Sequence, residues 1–251
     1  MWNSLKSDLY RVFHMRAFYI TLCIGVVMSS ILITSTGFTM SSPFSNFSRE
    51  TDSLVDFLVY ITKSPLFAIL LLVFLSVFHN DEYDKGYAKN ILPIHFKKSS
   101  IVIERYILGI IVSIVLLLSM FLAGGIATCF VPLASESFKV LDLVIFVTVQ
   151  ILLINTVVSF LMMLNHITRS KVIVILVACV FSMLILYMLE VSIASWLLGD
   201  AEILKYTIYQ QIGTLPTTFT WESYQLAFFV LIGNTVLYNV ISFIALKKKD
   251  L

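Results

Sequence analysis

The chain has 251 residues, of which 59% are hydrophobic and only 13% are charged, and its formal net charge is +2. Together with a mean hydropathy of +0.96, this composition excludes a water-soluble globular domain and predicts a membrane protein. No nucleic-acid partner is predicted.

Residues 1–16, MWNSLKSDLYRVFHMR, predict a separate amphipathic helix at the start of the chain. Asp8 and Arg11 lie on one side of this helix. Its opposite, apolar side consists of Trp2, Leu5, Leu9, Val12 and Phe13. A helix of this kind is typical of the membrane interface. The alternative, in which these residues begin the first membrane span, remains open.

Six apolar runs follow, each long enough to cross a hydrocarbon core that needs about 20 helical residues. They are Ala17 to Thr39, Leu54 to Phe78, Ile101 to Phe130, Val140 to Leu164, Val172 to Leu198 and Tyr224 to Leu246. The runs lack the alternating polarity of a membrane β-barrel. Residues 17–251 are therefore predicted to form one all-α, six-helix transmembrane domain.

The distribution of basic residues predicts the orientation, because short cytosolic loops retain Lys and Arg. All but four of the 17 Lys and Arg residues fall on the side that carries both ends of the chain. The four exceptions are Arg49, Lys63, Lys139 and Lys205. Both termini are therefore predicted to be cytosolic, in a multi-pass protein of a cell membrane that we expect to be a bacterial plasma membrane.

Ionisable residues are scarce within the apolar runs. Four of them are predicted to lie near outer helix ends, where snorkelling towards the interface is favoured over a proton relay: Asp56, Lys63, Asp142 and Glu190. The four histidines are predicted at the cytosolic ends of spans, in solvated or interfacial positions: His14, His79, His95 and His166.

Uncharged polar residues occur at mid-membrane depth and should point into the bundle or towards a partner. These are Gln150, Asn155, Asn234 and Asn239. They could hold helices together or line a pathway, and the first role is favoured. The spacing of Gly109 and Ser113 is typical of closely packed membrane helices.

The charged stretch 79–98, HNDEYDKGYAKNILPIHFKK, interrupts the apolar pattern in a predicted cytosolic loop. Capping residues at its start and Pro93 near its end predict a short helix over about residues 81–92. So short a helix is marginal in water unless it docks on something. Gly86 in its middle favours close approach by a partner, whereas resting on lipid headgroups is the alternative.

The same stretch resembles the first cytosolic loop of ABC type-2 permeases, especially the small six-span subunits of Gram-positive peptide exporters and bacteriocin-immunity transporters. The residues that carry the resemblance are Glu82, Tyr83, Gly86, Lys89, Asn90, Leu92, Lys97, Lys98 and Arg105. The sequence departs from the family pattern at Tyr87, where threonine is usual. It also has lysine at 97 or 98 where arginine is common, and Arg105 where lysine is common.

The resemblance implies that residues 81–92 form a coupling helix that contacts a separate cytosolic ATPase dimer. The implied contact residues are Glu82, Tyr83, Gly86, Tyr87 and Lys89. The short basic turn that contains His166, Arg169 and Lys171 is a second candidate contact, or an anchor to lipid phosphates. The sequence has no phosphate-binding loop. The chain is thus expected not to be an enzyme and to hold no cofactor or metal, with ATP and Mg in the partner ATPase.

The resemblance also implies a second copy or a sister permease as partner, and an amphipathic cargo, most simply a peptide, carried outward through the lipid membrane. For the outer segment 199–223 it implies short re-entrant helices, whereas a surface-lying helix fits the pattern equally well. Two other functions remain as alternatives. One is an ion-gradient-driven transporter or channel, and the other is an immunity protein that binds a peptide without transporting it.

Overall fold

The structure, a computed structural model, describes residues 2–34, 54–84, 98–127, 139–182 and 201–248, together with residues 188, 191, 192 and 196. Within these residues every regular element is a helix, so the predicted all-α class is confirmed for them. In chain order the elements are α1 (Trp2–His14), α2 (Arg16–Thr34), α3 (Leu54–Lys63), α4 (Pro65–Asp84), α5 (Lys98–Ala127), α6 (Val140–Thr168), α7 (Lys171–Ser182), a 3-10 helix (Ala201–Tyr206), α8 (Ile208–Thr214) and α9 (Trp221–Lys248).

Several of these helices are suited to a membrane. Among the described residues, α5, α6 and α9 are each long and apolar enough to cross it, and the number rises to five if the bent pairs α1–α2 and α3–α4 each count as one span. Helix α7 is apolar but has 12 residues. The predicted span Val172 to Leu198 lies largely outside the described residues beyond Ser182, so six spans remain a prediction.

Helix α6 is the axis of the bundle. It packs against α3, α4, α5, α7, α8 and α9, and 61% of its most apolar stretch is buried, compared with 22% for α9. Several polar side chains of α6 are buried as well, among them Gln150, Asn155 and His166. Since a polar group facing lipid is costly, a helix surrounded by others is where such groups can find partners.

The second predicted span is broken. Helices α3 and α4 meet at Ser64 with a bend of 49°, where the sequence analysis predicted one continuous helix from Leu54 to Phe78. Pro65 explains the correction, because proline has no N–H and its ring clashes with the carbonyl of the preceding turn. Ser64 then caps α4 by accepting a hydrogen bond from the Phe67 N–H, at 3.2 Å.

Helix α1 is a separate element that meets α2 at a bend of 62°. Leu5 and Val12 from its apolar side are buried against the bundle, whereas Tyr10 and Phe13 are exposed. The Arg11 guanidinium lies 5.2 Å from the centre of the Phe78 ring on α4. The helix is therefore docked on the protein by part of its apolar side.

Two glycines of α5 allow neighbouring helices to approach closely. A Cβ atom on Gly109 would lie 2.6 Å from Asn155 Oδ1 of α6, and one on Gly124 would lie 2.0 Å from Cε1 of Phe57 in α3. Both distances are too short for a real Cβ atom, so a larger residue at either position would force the facing side chain, Asn155 or Phe57, to shift. The close packing predicted from Gly109 and Ser113 is thus present.

Candidate functional site

Three buried side chains connect α5, α6 and α9, and we name them the Arg105 network: Arg105, His166 and Ser242. Arg105 Nη1 donates a hydrogen bond to His166 Nε2 at 2.8 Å. Because a guanidinium has no acceptor, Nε2 must accept, and the proton of a neutral imidazole is then on Nδ1. That nitrogen faces Ser242 Oγ, which accepts the second hydrogen bond. The three side chains are 6%, 2% and 1% exposed.

The burial of His166 and His79 corrects the prediction that these histidines are solvated or interfacial. Both are only 2% exposed. Helix α6 continues four residues beyond the predicted span end at Leu164. In this extra turn Asn165 and His166 are buried, whereas Ile167 and Thr168 are exposed. His14 is exposed and donates to the Tyr10 carbonyl, while His95 lies outside the described residues.

An ion pair at the same end of the bundle joins the two segments that were predicted to contact an ATPase. Lys171 Nζ in the first turn of α7 lies 2.8 Å from Asp81 Oδ1 in the last turn of α4. The side chains are 36% and 17% exposed. Sequence reasoning assigned the two segments separately, and the structure joins the first residue of one, Asp81, to the last residue of the other, Lys171.

The predicted coupling residues are described only in part. Residues 81–84 form the last turn of α4, so no separate helix begins at Asp81 as predicted. Glu82 and Tyr83 belong to that turn, although their side chains are not described. Gly86, Tyr87 and Lys89, and the rest of the predicted helix, lie outside the described residues.

The second predicted contact divides into buried and accessible residues. His166 is buried within the Arg105 network, so it offers no surface to a partner. Arg169 is exposed and has a φ of 52°, which places it in the left-handed region. Its N–H donates to the Asn165 carbonyl and ends α6. Arg169 and Lys171 are therefore the two that a partner could reach.

A second buried basic side chain, Lys63, lies elsewhere in the bundle. We name Lys63, together with the two carbonyls that it binds, the Lys63 site. Lys63 Nζ donates to the carbonyls of Gly213 and Leu215, at 3.1 and 2.8 Å. It also lies 5.5 Å from the centre of the Phe146 ring. These carbonyls belong to the C-terminal end of α8, whose dipole favours a cation.

The Lys63 site overturns the prediction that this lysine snorkels to the outer interface. Lys63 is 6% exposed, and its side chain points into the bundle, where Nζ meets the carbonyls of Gly213 and Leu215. Sequence reasoning missed this residue as a functional candidate. The available signal was a lysine two residues before a proline within an apolar run.

Helix α8 is packed into the bundle by further contacts of its backbone and side chains. Gln150 Nε2 of α6 donates to the Ile212 carbonyl at 2.9 Å. Tyr209 donates from its hydroxyl to the Phe181 carbonyl at 2.9 Å, and the two rings stack at 4.0 Å. Since Tyr209 and Ile212 are buried, α8 lies within the bundle instead of on its surface.

The remaining predicted polar residues differ in what they connect. Asn155 Nδ2 donates to Ser113 Oγ at 2.9 Å and so joins α6 to α5. Asn234 Nδ2 donates to the Val230 carbonyl of its own helix, and Asn239 bonds to Thr235 in the same way. Gln150 and Asn155 therefore hold elements together, whereas the hydrogen bond that Asn234 makes within the described part of the chain stays inside α9.

No group of three His, Cys, Asp or Glu side chains within the described ranges is arranged to hold a metal ion. At the Lys63 site, an ammonium group binds two backbone carbonyls. The Arg105 network is a chain of hydrogen bonds between side chains. Neither arrangement includes an activated nucleophile.

The comparisons with known proteins identify the family. A comparison with curated proteins finds no match. Residues 19–251 match the model of DUF2705, a family described as proteins of unknown function. Because this match covers well over half of the chain, the protein belongs to the DUF2705 family.

Proposed function

We propose that this chain is the membrane-spanning permease subunit of an ATP-driven exporter, powered by a separate cytosolic ATPase dimer that binds ATP and Mg. The observation that carries the proposal is the 2.8 Å ion pair between Asp81 and Lys171. It joins the start of the predicted coupling loop to the start of α7, so a partner that moves one segment also moves the other.

The elements beside this ion pair support a mechanical role. Helix α4 leads directly into the coupling loop, and its neighbour α7 is tied to it by the pair and by packing. Helices transmit displacement as rigid bodies. Force applied to the loop would therefore tilt α4 and α7 together against the central helix α6.

The Arg105 network would pass that movement to the rest of the bundle. Its hydrogen bonds connect α6 to α5 and α9. All three members are buried, so exchanging their partners would require the helices to shift as a group. In this proposal the network is the linkage between the docking surface and the cargo pathway.

The remaining parts of the proposal come from the resemblance to small peptide-exporter permeases. The chain would have six spans with both termini in the cytosol of a bacterial cell. It would pair with a second copy or a sister permease and carry an amphipathic peptide outward. The packed segment 201–220 would close the outer end of the pathway as a re-entrant element.

The test is to purify the chain from its native membrane and ask whether an ATPase subunit elutes with it and is stimulated by cargo peptide. The Glu82→Gln variant should lose this stimulation while still inserting into the membrane. Glu222→Gln is the matched control, because Glu222 is exposed on the first turn of α9, away from the Asp81–Lys171 pair. Equal stimulation in both variants would contradict the proposed coupling role.

One observation favours a second function, an ion-gradient-driven transporter. Such carriers use broken helices and buried charges at depth, and Lys63 lies at the 49° break between α3 and α4. A small cavity beside it is lined in part by Thr62, Ser64 and Ser182. Transport by the chain alone in vesicles, driven by an ion gradient and abolished in Lys63→Met, would establish this function and refute the exporter.

A further inference from the structure

We propose that Ser76, His79 and Asn165 bind an internal water molecule that bridges α4 and α6. The three side chains are 3%, 2% and 1% exposed. All three line one small cavity, whose remaining walls are apolar: Leu75, Val158, Leu161, Met162 and Val174. This inference does not depend on the proposed transport function.

The polar atoms of these side chains require a partner. Within the described part of the chain, Ser76 Oγ, both His79 ring nitrogens, and both Asn165 amide atoms have no hydrogen-bond partner and are fully buried. A buried polar group without a partner lowers stability. These five atoms belong to residues that line one cavity, so a small polar ligand there would supply the partner that they lack.

The size and chemistry of the cavity identify this ligand as water. The space open to the centre of a water-sized sphere is about 10 Å³, close to what one water molecule needs. Water both donates and accepts, which matches a hydroxyl, a neutral imidazole and an amide. Each of these groups can also do both. The other walls offer only hydrocarbon, so a larger polar ligand would find no further partners.

The position gives this water a structural role. Helix α4 carries Ser76 and His79, helix α6 carries Asn165, and Val174 of α7 closes the cavity. Its α4 residues, Ser76 and His79, precede Asp81 by five and two residues, which is about half a turn to one and a half turns from the ion pair with Lys171. The contact between α4 and α6 at this level is thus made through a solvent molecule.

Radiolytic hydroxyl labelling of the full-length chain in lipid nanodiscs tests the proposal, because radicals formed from a bound water oxidise the side chains beside it. Met162 lines the cavity and is 2% exposed, and Met120 is the control because it is 0% exposed and does not line it. We expect Met162 to oxidise severalfold faster than Met120, because an ordered water beside it is a local source of radicals. Equal rates, measured residue by residue with mass spectrometry, would overturn the proposal.

The Asn165→Leu variant gives a second, independent readout. If the water is present, this change removes its bonds to the amide, so Met162 labelling should fall to the Met120 rate and the melting temperature should fall. Asn239→Leu, on α9, should leave Met162 labelling unchanged. If Asn165→Leu raises the melting temperature and does not change the labelling, the amide had no ligand and the proposal fails.

Discussion

The Arg105 network and the Lys63 site each bury a basic side chain in the same bundle, but they satisfy it in different ways. Arg105 bonds to another side chain, His166, which in turn bonds to Ser242, so the link runs between straight helices. Lys63 bonds to the backbone carbonyls of a segment about 150 residues further along the chain.

This difference indicates which of the two sites can rearrange. Carbonyl oxygens at the end of a helix are fixed by the backbone, so the Lys63 site holds segment 201–220 in one position. Side-chain partners can be exchanged through new rotamers without breaking any helix. We therefore expect the Lys63 site to be rigid and the Arg105 network to rearrange when a partner acts on the bundle.

The largest effect should come from removing the rigid contact. Lys63→Met leaves the Gly213 and Leu215 carbonyls without their buried donor, and should lower the free energy of unfolding by about 3 kcal/mol. Thermal denaturation in detergent, followed by size-exclusion chromatography, measures this loss. Lys139→Met is the control, because Lys139 is exposed. Similar melting temperatures in both variants would mean that Lys63 makes no stabilising contact inside the bundle, as expected if its side chain extends to the membrane interface.

A somewhat smaller loss is expected at the network. His166→Phe removes the acceptor for Arg105 and should destabilise the protein by about 2 kcal/mol, since part of the guanidinium then has no buried partner. Ser242→Ala removes only the terminal hydrogen bond, and should cost about 1 kcal/mol. The same thermal assay compares the two. If the alanine variant loses more than the phenylalanine variant, Arg105 does not depend on His166.

The packing that positions α3, and with it Lys63, can be tested sterically. Gly124→Ala places a methyl group 2.0 Å from the Phe57 ring, and overpacking of this kind should cost about 1–2 kcal/mol. Gly125→Ala is a matched control one residue away, where nothing lies within 4 Å of an added Cβ atom. A thermal shift of equal size for both would show that helix propensity, and not the contact with Phe57, determines the result.

The smallest effect on stability is expected for the ion pair at the accessible end. Asp81→Asn should cost less than about 1 kcal/mol, because the pair is partly exposed and screened by salt. A double-mutant cycle with Lys171→Met isolates the interaction. Its coupling energy should decrease as the salt concentration rises. A coupling energy that does not change with salt concentration would mean that the interaction is not electrostatic.

Much of the fold follows from the sequence, because hydrophobic length alone locates membrane helices. The start of α6 at Val140 coincides with the predicted start of its apolar run. Polar residues such as Gln150 and Asn155 could also be expected inside the bundle, since lipid offers them no hydrogen-bond partner.

The sites were less predictable, for two physical reasons. A lysine is long enough to snorkel or to turn inward, and the choice was made here by carbonyls some 150 residues away, which no local pattern reveals. His166 was expected near the interface because hydrophobicity ended at Leu164, yet polar residues can extend a helix when neighbours enclose them. Pro65 was the one local signal for a break that the apolar run concealed.

The bend at Ser64 also has a consequence for lateral space in the membrane. Helix α3 has 10 residues, which corresponds to a length of about 15 Å. Tilted by 49° from α4, its far end is displaced sideways by about 11 Å, roughly the diameter of one helix with its side chains. A single proline therefore moves the end of α3 by about one helix diameter relative to a straight continuation of α4.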